Sequence, residues 1–100
     1  MQWQELLSEA EKATDPAIAE EMYSQAIELA QSACGTYDPN LARCFMAYAS
    51  FLESQRRFAD AGLRYKLAAA IFKTARQQGA YSFAQGKVSR MEVLALQEKA

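Results

Sequence analysis

No histidine occurs in the 100-residue chain, so the commonest general base and most zinc and copper ligand sets are missing. What remains with chemical potential is two cysteines, one adjacent pair of carboxylates and a glycine–lysine stretch. Cys34 and Cys44 match no ligand or pairing framework and read as reduced thiols of a cytosolic protein. Glu20 and Glu21 are sequence neighbours, so on a helix they point to different sides and cannot share a proton; their expected role is solubility. Gly79, Gly86 and Lys87 glance at a phosphate-binding loop, but six residues separate the glycines, too many for that motif. Val88 also replaces its hydroxyl residue, and no strand precedes it. Catalysis, a metal and a cofactor are therefore not expected.

Charge is the next possible source of function. Residues 1–55 hold Lys12 and Arg43 against nine acids, a balance of minus seven, and residues 56–100 hold nine bases against three acids, plus six. The overall charge of −1 hides this dipole, which favours head-to-tail contact or draws an acidic partner to the C-terminal half. Arg56, Arg57, Arg64, Lys66, Lys73, Arg76, Lys87 and Arg90 form the basic half. Phe58, Tyr65 and Phe72 are the aromatics among them, and they fall on an apolar stripe instead of standing free to stack on bases, so nucleic acid is not the expected ligand. The longest apolar run, Leu67 to Phe72, is far short of the ~20 residues of a membrane span. The N-terminus carries acids in place of a basic and apolar leader, and a soluble cytoplasmic protein is expected.

The elements that position these residues are helices. Phe45, Tyr48, Ala49 and Leu52 recur at intervals of three and four, and Phe58, Ala61, Tyr65 and Ala68 do so again after the polar break Ser54–Arg57. So short a break forces two helices antiparallel, with alanines allowing close approach. Subtracting 42 maps Phe45, Tyr48, Ala49 and Leu52 onto Trp3, Leu6, Leu7 and Ala10, and Ala61, Tyr65 and Ala68 onto Ala19, Tyr23 and Ala26. One period therefore relates two hairpins. Helix 1 is predicted from about Gln2 to Ala13. Asp15 caps helix 2, Pro16 opens it, and it runs to about Ala33 before Gly35. Asp38 and Pro39 repeat the device for helix 3.

Helix 4 is predicted from Phe58 to Gln78, closed by Gly79. Its second apolar set, Leu63, Leu67, Ala70 and Ile71, calls for a neighbour on each flank. Ser82 and Gln85 form a capping-box pattern for helix 5, whose inward stripe is Val88, Met91 and Ala95. Adding 42 to Phe45 and Tyr48 gives Lys87 and Arg90, so this segment reads as a closing helix and not as the start of a third repeat. Val93 and Leu96 lie off its stripe and stay exposed; either the chain is an excerpt of a longer array or it self-associates.

This spacing, a bulky residue, then large and small residues, then a large one, followed by Ala-x-x-x-aromatic, resembles the tetratricopeptide repeat. The longer period, with Gly35, Asp38, Pro39 and Ala42 between hairpins, is similar to kinesin light chain-type repeats; Arg56 stands where the family has a turn glycine. The resemblance implies an all-α fold, a right-handed α-α superhelix of two hairpins (residues 1–34 and 38–78) sealed by a capping helix (81–100), five helices in one domain. It also implies a concave surface made by the first helix of each hairpin, receiving a peptide or helix of a partner protein. On helix 3 that surface holds Arg43, Met46, Ser50 and Glu53, and on helix 1 the equivalents Met1, Gln4, Ser8 and Glu11. Met46 suits either an adaptable contact or packing on a neighbouring helix. The acidic chaperone tails gripped by some family members are not expected, because Ser8 and Ser50 lack an amide's paired donor and acceptor and Glu11 and Glu53 repel carboxylates. A neutral or basic segment fits better, with assembly of identical chains through the opposed charges, Val93 and Leu96 as the alternative.

Overall fold

A computed structural model describes residues 2–99, and these form five α-helices with no strand. The helices are α1 (Trp3–Lys12), α2 (Pro16–Cys34), α3 (Pro39–Ser54), α4 (Phe58–Thr74) and α5 (Gln78–Lys99). Each packs chiefly on its neighbours in sequence, and α1 also touches α3. The resulting slab measures 42 × 35 × 16 Å over its Cα atoms.

The starts of α2 and α3 are built alike. Asp15 accepts from the Ala17 N–H at 2.9 Å and Asp38 from the Asn40 N–H at 2.8 Å, each satisfying an amide of the first turn, with proline next to the cap. At the start of α1 the Glu5 carboxylate accepts from the Gln2 N–H at 3.4 Å. Gly35 ends α2 at φ 106°, where a side chain would be strained.

The 42-residue period survives in the packing. Leu6 and Tyr48, Ala10 and Leu52, Ala19 and Ala61, Tyr23 and Tyr65, and Ala26 and Ala68 are all buried. Trp3 and Phe45 are half-buried against the same core cluster. Leu7 is half-buried where its counterpart Ala49 is wholly covered, because the larger side chain reaches the edge of the α1–α3 contact.

The boundary between α4 and α5 differs from the expectation. Helix α4 ends at Thr74, not Gln78, and α5 begins at Gln78 with Gly79 and Ser82 inside it. The closure is made by Arg76, not Gly79: Arg76 takes φ 61°, its N–H donates to the Lys73 carbonyl at 3.1 Å, and the Gln77 N–H donates to the Phe72 carbonyl at 2.9 Å. The α3–α4 turn is the same closure 20 residues earlier. Arg56 also has φ 61°, its N–H donates to the Glu53 carbonyl at 3.0 Å, and the Arg57 N–H donates to the Leu52 carbonyl at 3.0 Å. Ser54 and Thr74 occupy the same place in the two turns and bond back to carbonyls, at 2.6 Å to Phe51 and 3.0 Å to Ala70.

The second apolar set of α4 needs a further correction. Helix α4 does lie between α3 and α5, but it meets α5 where Gly62 permits a close approach: a β-carbon there would stand 3.4 Å from Met91 Cβ. Of the expected four residues only Ile71 is buried; Ala70 is exposed, and Leu63 and Leu67 remain 54% and 48% exposed. On α5, Val88 and Met91 are buried and Ala95 is half-buried, as the stripe required, and Ala84 extends it by a turn. Val93 and Leu96 are exposed.

Candidate functional site

The sequence-predicted partner residues fall into two groups. Gln4, Ser8 and Glu11 on α1 and Arg43 on α3 are exposed and line one depression of about 370 Å³, with Trp3, Leu7 and Asn40. Farther along, Glu11 and Ser50 border a second depression of about 370 Å³ whose apolar wall includes Tyr23, Ala47 and Phe51. Glu11 belongs to both, so the α1–α3 seam is one surface about two helical turns and more in length. Met1 lies outside the described residues.

The floor of this seam is a packed aromatic cluster. Tyr23 of α2 and Phe51 of α3 have ring centroids 5.3 Å apart, and Tyr23 stacks on Tyr48 at 5.6 Å. Burial, followed by the nearby Glu11 carboxylate, pushes the Tyr23 hydroxyl above its ordinary value.

Met46 and Glu53 are occupied elsewhere. Met46 is half-buried and packs against both core clusters. Glu53 accepts the Tyr65 hydroxyl hydrogen at 2.9 Å and lies 3.6 Å from Lys87 Nζ, so it ties α3 to α4 and α5. Burial and then the bond to Glu53 raise the Tyr65 pKa.

A second polar clasp was not foreseen. Glu20, expected to serve only solubility, accepts from the Tyr48 hydroxyl at 2.9 Å and from Arg57 Nη1 at 2.7 Å. Arg57 also donates to Asp60 through Nη2 at 3.1 Å, and the Arg64 guanidinium lies 5.3 Å from the Tyr48 ring centroid. The bond from Arg57 holds the Glu20 carboxyl below its usual value, against the opposing pull of burial, and the Tyr48 bond adds to the lowering. Helices α2 and α3 and the turn leading into α4 meet at this carboxylate. Its signal in the sequence is the spacing of Glu20, Tyr23 and Ile27, which puts the acid on the stripe that faces inward. Glu21, one residue on, is exposed and accepts only from Gln25 at 3.5 Å.

Cys44 is wholly buried, and burial, with Cys34 nearby, pushes its thiol up to about 11, which leaves it un-ionised at neutral pH. Among the described residues no three His, Cys, Asp or Glu side chains cluster as metal ligands, and no helix is long and apolar enough to cross a membrane. Compared with family models, curated proteins and solved structures, the chain matches none.

Proposed function

We propose that this chain is a tetratricopeptide-like interaction module, related in repeat length to the kinesin light chain type, whose two hairpins and closing helix form a short right-handed superhelix. It works in the cytoplasm by holding a neutral or basic segment of another protein along the α1–α3 seam and catalyses no reaction. One observation carries this reading: α1 and α3, equivalent under the 42-residue period, lie side by side and leave an open, polar-rimmed and apolar-floored surface between them. The residues assigned to that surface are Gln4, Ser8, Glu11, Arg43 and Ser50. Met46 and Glu53 support it from beneath, since both are engaged in packing or bonding that sets the position of α3.

The test follows from that division. Ser8→Lys, Glu11→Lys and Arg43→Glu together alter only exposed side chains, so the fold should persist while the charges at Glu11 and Arg43 are reversed and position 8 gains one. Affinity capture from lysate with mass identification should then lose the partners that the unaltered chain recovers. Identical partner sets from both proteins would refute the assignment.

A further inference from the structure

The second concavity of note lies between α4 and α5. It encloses about 370 Å³ over a floor of Phe58, Gly62, Val88 and Met91, all buried, while Leu63 and Leu96 stand at its rim. Leu96 is 70% exposed. One unit earlier, Ala61 and Tyr65 of α4 share a core cluster with Tyr23 of α2 and Tyr48 of α3. The α4–α5 cleft has an apolar floor and, among the described residues, no helix seated in it.

The chain itself carries a helix that suits this seat. On α2, Ile18, Met22, Gln25 and Leu29 follow one another at intervals of four, three and four residues, which is a single helical face. Ile18 is 49% and Leu29 40% exposed, although both are large and apolar. The face is flanked by Glu21 and Glu28, and α2 has three acids and no base. Helices α4 and α5 together have six bases and three acids, and the cleft mouth has Lys66 and Lys99 with Glu92. The Lys66–Glu92 pair is long at 3.8 Å and solvent-exposed, so it opposes a better partner only weakly. Ile18 to Leu29 and Val88 to Lys99 each span 12 residues, an axial rise of about 16 Å, so stripe and cleft agree in length as well as charge.

We propose that the α4–α5 cleft receives the α2 face of a second copy of this chain, acidic face on basic cleft. The two surfaces are different patches, so the contact is heterologous: each molecule has one cleft and one face free to continue, and the product is a head-to-tail row instead of a closed pair. This inference is independent of the α1–α3 seam, none of whose residues it uses.

Two charge-reversed variants of the full chain test it. Glu21→Lys with Glu28→Lys spoils the face and keeps the cleft; Lys66→Glu with Lys99→Glu spoils the cleft and keeps the face. All four positions are exposed, and circular dichroism melts check that both variants fold. In sedimentation velocity at low salt the unaltered chain should gain mass with concentration and lose that gain when salt is added. Each variant alone should stay monomeric. An equal mixture of the two should regain assembly, since the intact acidic face meets the intact basic cleft and the reversed face, now basic, meets the reversed cleft, now acidic. A monomeric unaltered chain at every concentration would overturn the proposal and leave the cleft to a helix of another protein. So would self-association of either variant at the unaltered strength, which for the face variant is the result expected if two clefts face each other in a symmetric dimer, and so would a mixture that fails to pair.

Discussion

Gly79→Ala and Ser82→Ala, made together, decide where α4 stops and α5 begins. If Gly79 ended α4 in a left-handed conformation and Ser82 capped α5, both changes would destabilise: alanine strains such a turn and removes the cap bond, about 1 kcal/mol each. The structure places both residues inside α5, Gly79 without a positive φ and with nothing within 4 Å of an added β-carbon, and Ser82 exposed. In that setting glycine and serine are simply poorer helix formers than alanine. Gly79 lies in the first turn, where the penalty is reduced, so each replacement should gain about 0.5 kcal/mol and the pair about 1 kcal/mol. The two arrangements thus differ in sign, with a gap of about 3 kcal/mol between them. For a domain of this size about 1 kcal/mol moves Tm by roughly 4–8 °C, readily resolved in a thermal melt followed at the helical band. A Tm raised by that amount is expected. A lowered Tm would refute the turn at Arg76 and return the boundary to Gly79.

Arg76→Gly should stabilise the fold by about 0.5–1 kcal/mol in urea titration, because φ 61° burdens any residue with a β-carbon, whereas Arg76→Ala keeps that burden and should gain nothing. Ala61 is completely buried where α4 packs on α3, so Ala61→Leu should cost about 1–3 kcal/mol in the same assay. Glu20 has a folded pKa below its ordinary value of 4.5, so the unfolded chain binds the more protons as acid is added. Its contribution is present above that value and fades as pH falls through the folded one; Glu20→Gln should flatten stability against pH below about 4.5.

Much of this arrangement is readable from residue order. The Asp–Pro starts of α2 and α3 are local devices, with donor, acceptor and fixed φ all supplied within three residues, so nothing distant can override them. The burial pairs related by 42 residues follow from stripe spacing alone. The α4–α5 turn escapes because its left-handed residue is arginine, against the local preference, and because Gly79 nearby offers a more conventional stop. Comparing Arg76 with Arg56 twenty positions earlier would have found it, since that turn is marked by the polar break. Helix α5 escapes the period for a related reason: Leu41, Phe45, Tyr48 and Leu52 align with Ala84, Val88, Met91 and Ala95 at 43, not 42, and the one-residue slip puts Lys87 and Arg90 where apolar residues were sought. Of the seam, Gln4, Ser8, Glu11 and Arg43 are placed by helical periodicity. The engagement of Glu53 by Tyr65 and Lys87, like that of Glu20 by Tyr48 and Arg57, joins positions on different helices and depends on how those helices cross.

A body only 16 Å through at its Cα atoms has no deep interior, and each helix relies on the ones next to it in the chain. Cooperativity in such a molecule is graded along its length. Helix α1 is the shortest and fully covers only Leu6 and Ala10, whereas α4 covers eight residues between two neighbours, so amide protons of α1 should exchange with solvent through small openings that leave α4 intact. A partner laid across α1 and α3 would then do more than occupy a surface: it would close the end of the molecule that breathes most, and the slowing of that exchange would report its arrival.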